Sequence, residues 1–185
     1  MDRLSKMKME KSQSEFEERE QPEVEVEVFD SQTINWEMIK EDVLQLEREA
    51  FGEKGFTEED FIDDFKNNAV VVLMRAKNAR PIIGLTYAVP IGVYYPERKS
   101  ESSNTAIIGD TIITKTYRGK RLVGRMMFLL EDALRKRGYQ YLERSAMIAN
   151  HYAENVEKNY QDRIVHKEGP RDSFWGPQMF FKIKL

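Results

Sequence analysis

The chain has 185 residues, 41% of them hydrophobic and 33% charged, and its formal net charge is −3 at pH 7. This length suits a single domain, while the net charge and the lack of any apolar run near the roughly 18 residues of a membrane helix argue against nucleic acid and membranes as partners. The absence of cysteine excludes a cysteine nucleophile, thiolate metal ligands and a redox dithiol.

Residues 1–22 are polar and dense in charge, and we expect a disordered or loosely helical tail there. They contain no apolar run that could serve as a signal peptide, which favours a cytoplasmic location. A single domain is expected over residues 23–185. It opens with valines at every second position over residues 23–29, a pattern that predicts a strand with one buried face.

Two helices are predicted next. The first carries an apolar stripe at spacings of three and four residues, formed by Ile39, Val43, Leu46 and Ala50. Gly52 and Gly55 end it. The second begins at Thr57, whose hydroxyl can cap the acidic first turn, and it turns Phe61, Ile62 and Phe65 inward.

The rest of the chain alternates between strands and helices. Apolar runs at 69–76 and 82–89 flank a short polar turn and predict a hairpin. The clearest helix ends at Arg137, where Gly138 is placed for a left-handed C-terminal cap. The remaining predicted elements are a loop at 96–104, strands at 105–113 and 141–148, a helix at about 151–160, and strands at 163–166 and 178–185 joined by a loop at 167–177. This order predicts a mixed α/β or α+β sheet.

Residues 116–126 form a basic junction between a strand and that clearest helix. Free amides and the positive end of the helix dipole make such a junction an anion site. Gly119 and Gly124 permit close approach of a ligand, and positive charge comes from Arg118, Lys120, Arg121 and Arg125. The pattern fits a pyrophosphate, or else a solvated basic helix start whose glycines serve only the turn; it is neither a Walker A sequence nor G-x-G-x-x-G.

The two histidines, His151 and His166, have no zinc-site spacing, and no G-x-S-x-G elbow is present. We therefore expect no metal and no covalent enzyme intermediate.

Within that junction, Tyr117-Arg118-Gly119-Lys120 and Leu122-Val123-Gly124-Arg125 resemble the acyl-CoA motif of the GNAT superfamily of N-acetyltransferases, whose signature is Gln/Arg-x-x-Gly-x-Gly/Ala. Asn150-x-x-Ala153, followed by Glu157-Lys158, resembles the family's second motif. The resemblance is strongest over residues 105–160. Departures are one residue more before Gly124, Met126 in place of Gly or Ala, and Glu157 in place of a frequent tyrosine.

The resemblance implies a GNAT fold: a central, mostly antiparallel twisted sheet of about seven strands, splayed at the acyl-CoA site and flanked by about four helices. It implies an N-acyltransferase that moves an acetyl group from acetyl-CoA to a primary amine by direct attack in a ternary complex. Alternatives are a catalytically silent acyl-CoA-binding or regulatory protein of this fold, and a phosphate-ligand binder unrelated to CoA.

The resemblance also assigns the site. An amide near Ile113 would stabilise the developing oxyanion. The acyl-CoA would contact Ile112, Ile113, Arg118, Gly119, Lys120, Arg121, Leu122, Val123, Gly124, Arg125 and Asn150. Asn150 could instead only cap the following helix.

Asp110 interrupts the apolar run 107–113, where the family often places a carboxylate, and it is the predicted general base; it could also be an outward-facing residue on the wet side of the sheet. Tyr160 is the predicted acid, with Tyr152 as a weaker rival, although a tyrosine on an amphipathic helix often only packs.

The acceptor side of the fold is rich in carboxylates: Glu53, Glu58, Glu59, Asp60, Asp63 and Asp64. These would suit a cationic amine, or they form a solvated helix face. Phe174 and Trp175 could wall the acceptor cleft, cap the core or form a homodimer interface.

Overall fold

The computed structural model describes residues 23–78 and 80–185, so the predicted tail of residues 1–22 lies outside it. A seven-stranded sheet runs through the domain in the order β1-β2-β3-β4-β5-β7-β6. Only the β4–β5 pair is parallel. The strands are β1 (Val24–Asp30), β2 (Val70–Ala76), β3 (Ile82–Pro90), β4 (Thr105–Ile113), β5 (Tyr141–Met147), β6 (Ile164–Arg171) and β7 (Gln178–Lys184). The predicted mostly antiparallel sheet of about seven strands is confirmed.

Four α-helices flank this sheet: α1 (Trp36–Phe51), α2 (Glu58–Lys66), α3 (Leu122–Lys136) and α4 (Tyr152–Tyr160). The predicted capping box of α2 is present, because the Thr57 hydroxyl and the Asp60 carboxylate each accept the other's backbone N–H. Beyond α3, Gly138 has the predicted left-handed conformation with φ of +89°. No helix in the described part of the chain is both long and apolar enough to cross a bilayer.

The two faces of the sheet have separate cores. In β2, Val71 and Leu73 pack towards α1 and α2, whereas Val70, Val72 and Met74 pack towards α3. A third, smaller core lies between α4 and the strands β5 and β7. Since side chains alternate along a strand, burial of both sets explains why β2 is a continuous apolar run.

One prediction about the C-terminal region was wrong. β6 continues to Arg171, so the loop spans only residues 172–177. β6 is an edge strand with seven of its eight residues exposed, and therefore lacks the apolar alternation that identifies a strand. Gly169 and Pro170 resemble a loop, and an irregular register against β7 accommodates them at this edge.

Candidate active site

The site begins where β4 and β5 separate. The two strands pair only over Thr105–Ile107 and Tyr141–Glu143. Beyond these residues, 108–113 and 144–147 do not pair with each other. The backbone groups along both edges are thus open to a ligand. This opening, called the gap below, confirms the predicted splayed pair.

A β-bulge shapes the β4 side of the gap. Tyr87 lies opposite Asp110 and Ala88 opposite Ile108, so Gly109 is an extra residue in β4. A Cβ atom on Gly109 would lie 2.2–2.5 Å from the ring and hydroxyl of Tyr87, which leaves room only for glycine. The bulge breaks the strict alternation of β4 and turns Asp110 towards the face covered by α1.

The loop after β4 leads into an uncapped helix N-terminus. Arg121, the residue before α3, is left-handed with φ of 60°, and no side chain caps the helix. Within residues 23–78 and 80–185, the N–H groups of Gly119, Lys120 and Arg121 donate to no backbone carbonyl. Free amides and the helix dipole together bind anions. This geometry fits the pyrophosphate predicted from the sequence.

Exposed basic side chains surround this helix start. The Arg118 Nε donates to the Ile113 carbonyl at 3.1 Å, and the Lys120 ammonium lies 5.1 Å from the Tyr117 ring centre. The first turn of α3 contains no acidic residue. Positive charge therefore accumulates here without a carboxylate in the same turn to offset it.

The first turn of α3 also leaves space for a ligand. Leu122 is buried, so its contribution at the surface is its backbone rather than its side chain. A Cβ atom on Gly124 would meet nothing within 4 Å. The glycine thus keeps an open surface beside the free amides.

Ile112 and Ile113 end β4 with buried side chains on opposite faces of the sheet. The next residue, Thr114, donates its N–H to the Ile83 carbonyl of β3 at 2.9 Å. Because successive N–H groups of a strand point to opposite sides, the N–H of Ile113 points into the gap. That orientation suits the predicted oxyanion role, which stays a prediction.

Across from Asp110, α1 contributes Glu47, a residue that the sequence interpretation did not select. Glu47 is only 1% exposed, and its Oε1 accepts the Phe56 N–H at 2.7 Å. Its Oε2 is buried with no partner in the described residues. Burial raises the pKa of both carboxyl groups, and the charge of Glu47 raises the pKa of Asp110 further.

Tyrosines adjoin this carboxyl pair. The hydroxyl of Tyr87 donates to the Asp64 carboxylate at 2.7 Å, and Tyr94 donates to the same oxygen. Burial and the charge of Asp64 raise the pKa of Tyr94. Of the six acidic residues predicted to face an amine, Asp64 alone is buried. The name acidic cluster is used below for Glu47, Asp64 and Asp110.

On the other face of the sheet, β5 contributes Arg144, which follows Glu143, the last residue of β5 that pairs with β4. Its side chain is 3% exposed, and its Nε has no partner among the described residues. Its Nη2 donates to the hydroxyl of Tyr152, the first residue of α4. The sequence interpretation missed Arg144, although it shares the alternation of the buried Leu142 and Ala146.

The two remaining predicted residues have local partners. The Tyr160 hydroxyl donates to the buried Glu131 at 2.7 Å. The Asn150 Oδ1 accepts the N–H of Tyr152 at 3.0 Å, which is the capping role weighed as the alternative, although His151 rather than Asn150 precedes the helix. Neither contact tests the predicted acid or pantetheine roles.

An aromatic group packs over the end of α1. Trp175, in the loop between β6 and β7, packs against Phe51 with ring centres 5.1 Å apart. Phe174 stacks edge-on against Trp175, and the Lys54 ammonium lies 4.6 Å from the Phe174 ring centre. This loop therefore lies over the end of α1 and the turn that follows it.

A groove of about 630 Å³ lies between α1 and residues 114–117. Its walls include the carboxylates of Asp42 and Glu49 as well as Lys115. This mixture of charges does not favour a polyanion, so the phosphate site is better assigned to the start of α3. Among the described residues, no group of three or more His, Asp or Glu side chains is arranged to hold a metal ion.

Comparisons with known proteins agree with this geometry. The model of the acetyltransferase (GNAT) family matches residues 36–157. No curated protein matches the chain. Similar solved structures include an aminoglycoside 6'-acetyltransferase type Ii, 17% identical with a TM-score of 0.60, over 86% of this chain and 96% of that one.

Two further structures share the fold. A GNAT family acetyltransferase from Elizabethkingia anophelis with acetyl-CoA bound is 12% identical, with a TM-score of 0.57 over 88% of this chain and 98% of that one. The ribosomal-protein-S18-alanine N-acetyltransferase from Escherichia coli is 12% identical, with a TM-score of 0.59 over 88% and 92%. Because the family match spans more than half of the sequence and includes both the gap and the start of α3, this chain belongs to the acetyltransferase (GNAT) family.

Proposed function

We propose that this protein transfers an acetyl group from acetyl-CoA to a primary amine by direct attack in a ternary complex. The observation that carries the proposal is the position of the gap. The uncapped, basic start of α3 follows the end of β4 that borders the gap. The acidic cluster lies on the face of the sheet that α1 covers. An anionic donor and a cationic acceptor would thus approach the same strand from different sides.

The donor would be held mainly by backbone. The free N–H groups of residues 119–121 and of the first turn of α3 would bind the pyrophosphate, with Arg118, Lys120, Arg121 and Arg125 supplying charge. The open surface at Gly124 admits the phosphates, and the free edge of β4 can pair with an extended amide-containing arm. Acetyl-CoA supplies the acetyl group as an activated thioester.

Asp110 is the proposed general base. An amine carries a proton at neutral pH, and the Asp110 carboxylate would accept it. The neutral nitrogen then forms a bond to the thioester carbonyl carbon while the carbon–sulfur bond breaks. The developing negative charge on oxygen would be stabilised by the Ile113 N–H. As the amide forms, the nitrogen loses a second proton and the departing thiolate takes up one, so that only the proton on Asp110 remains to be released.

Two tyrosines compete for the role of acid. Tyr160, the residue predicted from the sequence, donates its hydroxyl to Glu131. The hydroxyl of Tyr152 accepts from Arg144, which lies on the strand that borders the gap, and this contact favours Tyr152. Replacing each by phenylalanine separates them, because only loss of the acid should lower turnover by more than about tenfold.

The acceptor we propose is a cationic primary amine. Buried carboxylates attract such a group, and Trp175 and Phe51 can cover an apolar part of it. The named activities of two proteins with this fold, acetylation of an aminoglycoside and of a ribosomal-protein alanine, both use amine acceptors.

One observation favours a silent acyl-CoA-binding protein as the second candidate. The position of the family's frequent tyrosine is occupied by Glu157, which is exposed and pairs with Lys167 at 2.7 Å. In that case, the protein would bind acetyl-CoA without turnover.

Calorimetric titration with acetyl-CoA tests the donor site. Gly124→Trp fills only open surface, so the variant should fold, and it should lose at least about 100-fold in affinity if phosphates bind there. Phe128→Trp, at an exposed position one turn further along α3, is the matched control and should bind normally.

Absence of binding to the unmodified protein would contradict the proposal. Binding that is lost in Gly124→Trp, together with acetylation of at least one amine in a panel, would establish it. Binding without any turnover would leave the silent protein.

A further inference from the structure

Glu47 occupies an unusual environment for a glutamate. It lies on the face of α1 that also carries the buried residues Val43 and Leu46, and its side chain is 1% exposed. Residues 52–56 close over it: the Phe56 N–H donates to Oε1, and Gly55 lies so near that a Cβ atom there would be 2.6 Å from the Glu47 Cγ. One oxygen is therefore fixed, while Oε2 remains buried and unpartnered within the described residues.

The group that Glu47 faces is Asp110. Asp110 lies opposite Tyr87 in the β3–β4 register and therefore on the face of the sheet that α1 covers, and the charge of Glu47 raises the pKa of Asp110. Two neighbouring carboxylates repel each other, and a proton on one of them relieves that repulsion. Asp110 is partly exposed beside the gap, whereas Glu47 is closed off from solvent. A ligand in the gap can thus reach Asp110, but it can reach Glu47 only through Asp110.

The groups around the pair are acidic or neutral. From α2, Asp60 acts on Glu47 through its charge; from the segment after β3, Tyr94 is close enough for the charge of Asp110 to raise its pKa. Tyr87 and Asp64 complete the surroundings. Among the described residues, no lysine, arginine or histidine forms an ion pair with Glu47 or Asp110, whose hydrogen bonds come from the backbone N–H groups of Phe56 and Thr111.

Resting on the acetyl-transfer function proposed above, we propose that Glu47 is a positioning residue that makes Asp110 a stronger base: the two carboxyl groups share one proton, and the fully ionised pair takes the proton of the acceptor ammonium onto Asp110. The fixed charge of Glu47 repels a second negative charge on Asp110, and proton uptake relieves this repulsion. The step balances, because the amine loses the proton that Asp110 gains. It also selects for acceptors that arrive as ammonium ions.

Glu47→Gln is the informative variant. Gln can still accept the Phe56 N–H, and its amide can donate to Asp110, so the pKa of Asp110 should fall. The acidic limb of the profile of log kcat/KM against pH should then move to lower pH. The plateau should drop by about tenfold because the base is weaker. A merely structural role would lower the rate equally at every pH and leave the limb in place.

Glu49→Gln is the matched control, since Glu49 lies on the exposed face of the same helix. Its profile should coincide with that of the unmodified protein. Asp110→Asn should remove the limb altogether.

Carbon-13 NMR of labelled aspartate and glutamate carboxyl groups provides a readout without turnover. In the unmodified protein, the Asp110 signal should titrate well above the usual carboxyl range and show two coupled steps; in Glu47→Gln, it should titrate lower and in one step. An Asp110 signal that titrates in the ordinary range, or that is unmoved by Glu47→Gln, would overturn the inference. If no amine is acetylated, the function above fails, but this titration still decides whether the pair exists.

Discussion

The described part of the chain contains two buried glutamates with opposite surroundings. Glu131 in α3 is 4% exposed and accepts from Tyr160, Arg135 and Arg163 at 2.7–3.0 Å. Glu47 in α1 is 1% exposed and accepts one backbone N–H, while its other oxygen is buried without a hydrogen-bond partner among the described residues. Glu131 is therefore a buried carboxylate whose hydrogen bonds and ion pairs are formed, whereas one oxygen of Glu47 has none.

This difference separates structural from functional burial. A buried charge is tolerated when ion pairs and hydrogen bonds replace water, as they do at Glu131. At Glu47, no cation of residues 23–78 or 80–185 performs that task, and burial raises the pKa of its carboxyl group. Sites that violate the rules of stable packing are the places where function is expected. The variants below test these two kinds of environment separately.

The largest effect is expected from Asp110→Asn. Asparagine has nearly the same shape but cannot accept a proton, so kcat should fall by about 10²–10⁴-fold. Acetyl-CoA affinity, measured by calorimetry, should remain within about threefold, since the proposed donor site lies at the start of α3. A normal kcat would remove Asp110 from the mechanism and weaken the functional side of the comparison.

Glu131→Gln disrupts the hydrogen bonds and ion pairs of the satisfied glutamate. Two arginines would lose their carboxylate, and breaking such a buried network costs about 3–5 kcal/mol. The unfolding temperature should therefore fall by about 6–20 °C, at roughly 2–4 °C per kcal/mol for this size. Its turnover at low temperature should stay far above that of Asp110→Asn.

Glu157→Gln is the control for the loss of Glu131, because Glu157 is exposed on the helix that carries Tyr160. Its unfolding temperature should change by less than about 2 °C, as expected for a surface ion pair. An equal shift in both variants would show that the network around Glu131 contributes little.

The sequence predicted the fold well and the site only in part. Asp110 was selected as a candidate because a carboxylate interrupts an apolar strand, and the start of α3 because glycines and cations cluster there. Glu47 was missed: in the run Glu47-Arg48-Glu49 it resembles a solvated charge, although it lies four residues after Val43 on the apolar stripe. Its pairing with Asp110 depends on the bulge at Gly109, which periodicity does not reveal.

Arg144→Met tests whether another buried group that lacks a hydrogen-bond partner behaves like Glu47. A buried guanidinium with an unpartnered Nε reduces stability by about 1–3 kcal/mol. Methionine should therefore raise the unfolding temperature by about 2–12 °C while lowering acetyl-transfer activity.

Lys182→Met is the contrasting control, because Lys182 pairs with Glu101 and Glu143 at 3.2 and 3.4 Å. Its loss leaves Arg98 as the one remaining cation that pairs with these two carboxylates in the described part of the chain, so the unfolding temperature should fall. If the unfolding temperature also falls in Arg144→Met, Arg144 is a structural residue, and the proposed functional residues are limited to the acidic cluster.

The smallest expected effect concerns stability against pH. Burial raises the pKa values of Glu47, Asp64 and Asp110 above their ordinary values of 4.5 and 3.8. The folded protein therefore binds more protons than the unfolded chain, so these groups stabilise fully below about pH 4 and lose that contribution as the pH rises through their raised pKa values. Unfolding temperatures, measured from pH 4 to 8, should show this loss.

Glu47→Gln isolates the part that belongs to the pair. Glu101 acts in the opposite direction, because its hydrogen bond with Arg98 lowers its pKa to about 2, but that contribution is common to both proteins and cancels in the difference. The unfolding temperature of Glu47→Gln should therefore increase relative to that of the unmodified protein as the pH rises, by about 2–4 °C for each kcal/mol of repulsion removed. Parallel curves would mean that Glu47 is no less satisfied than Glu131, and the contrast between the two buried glutamates would then carry no information about function.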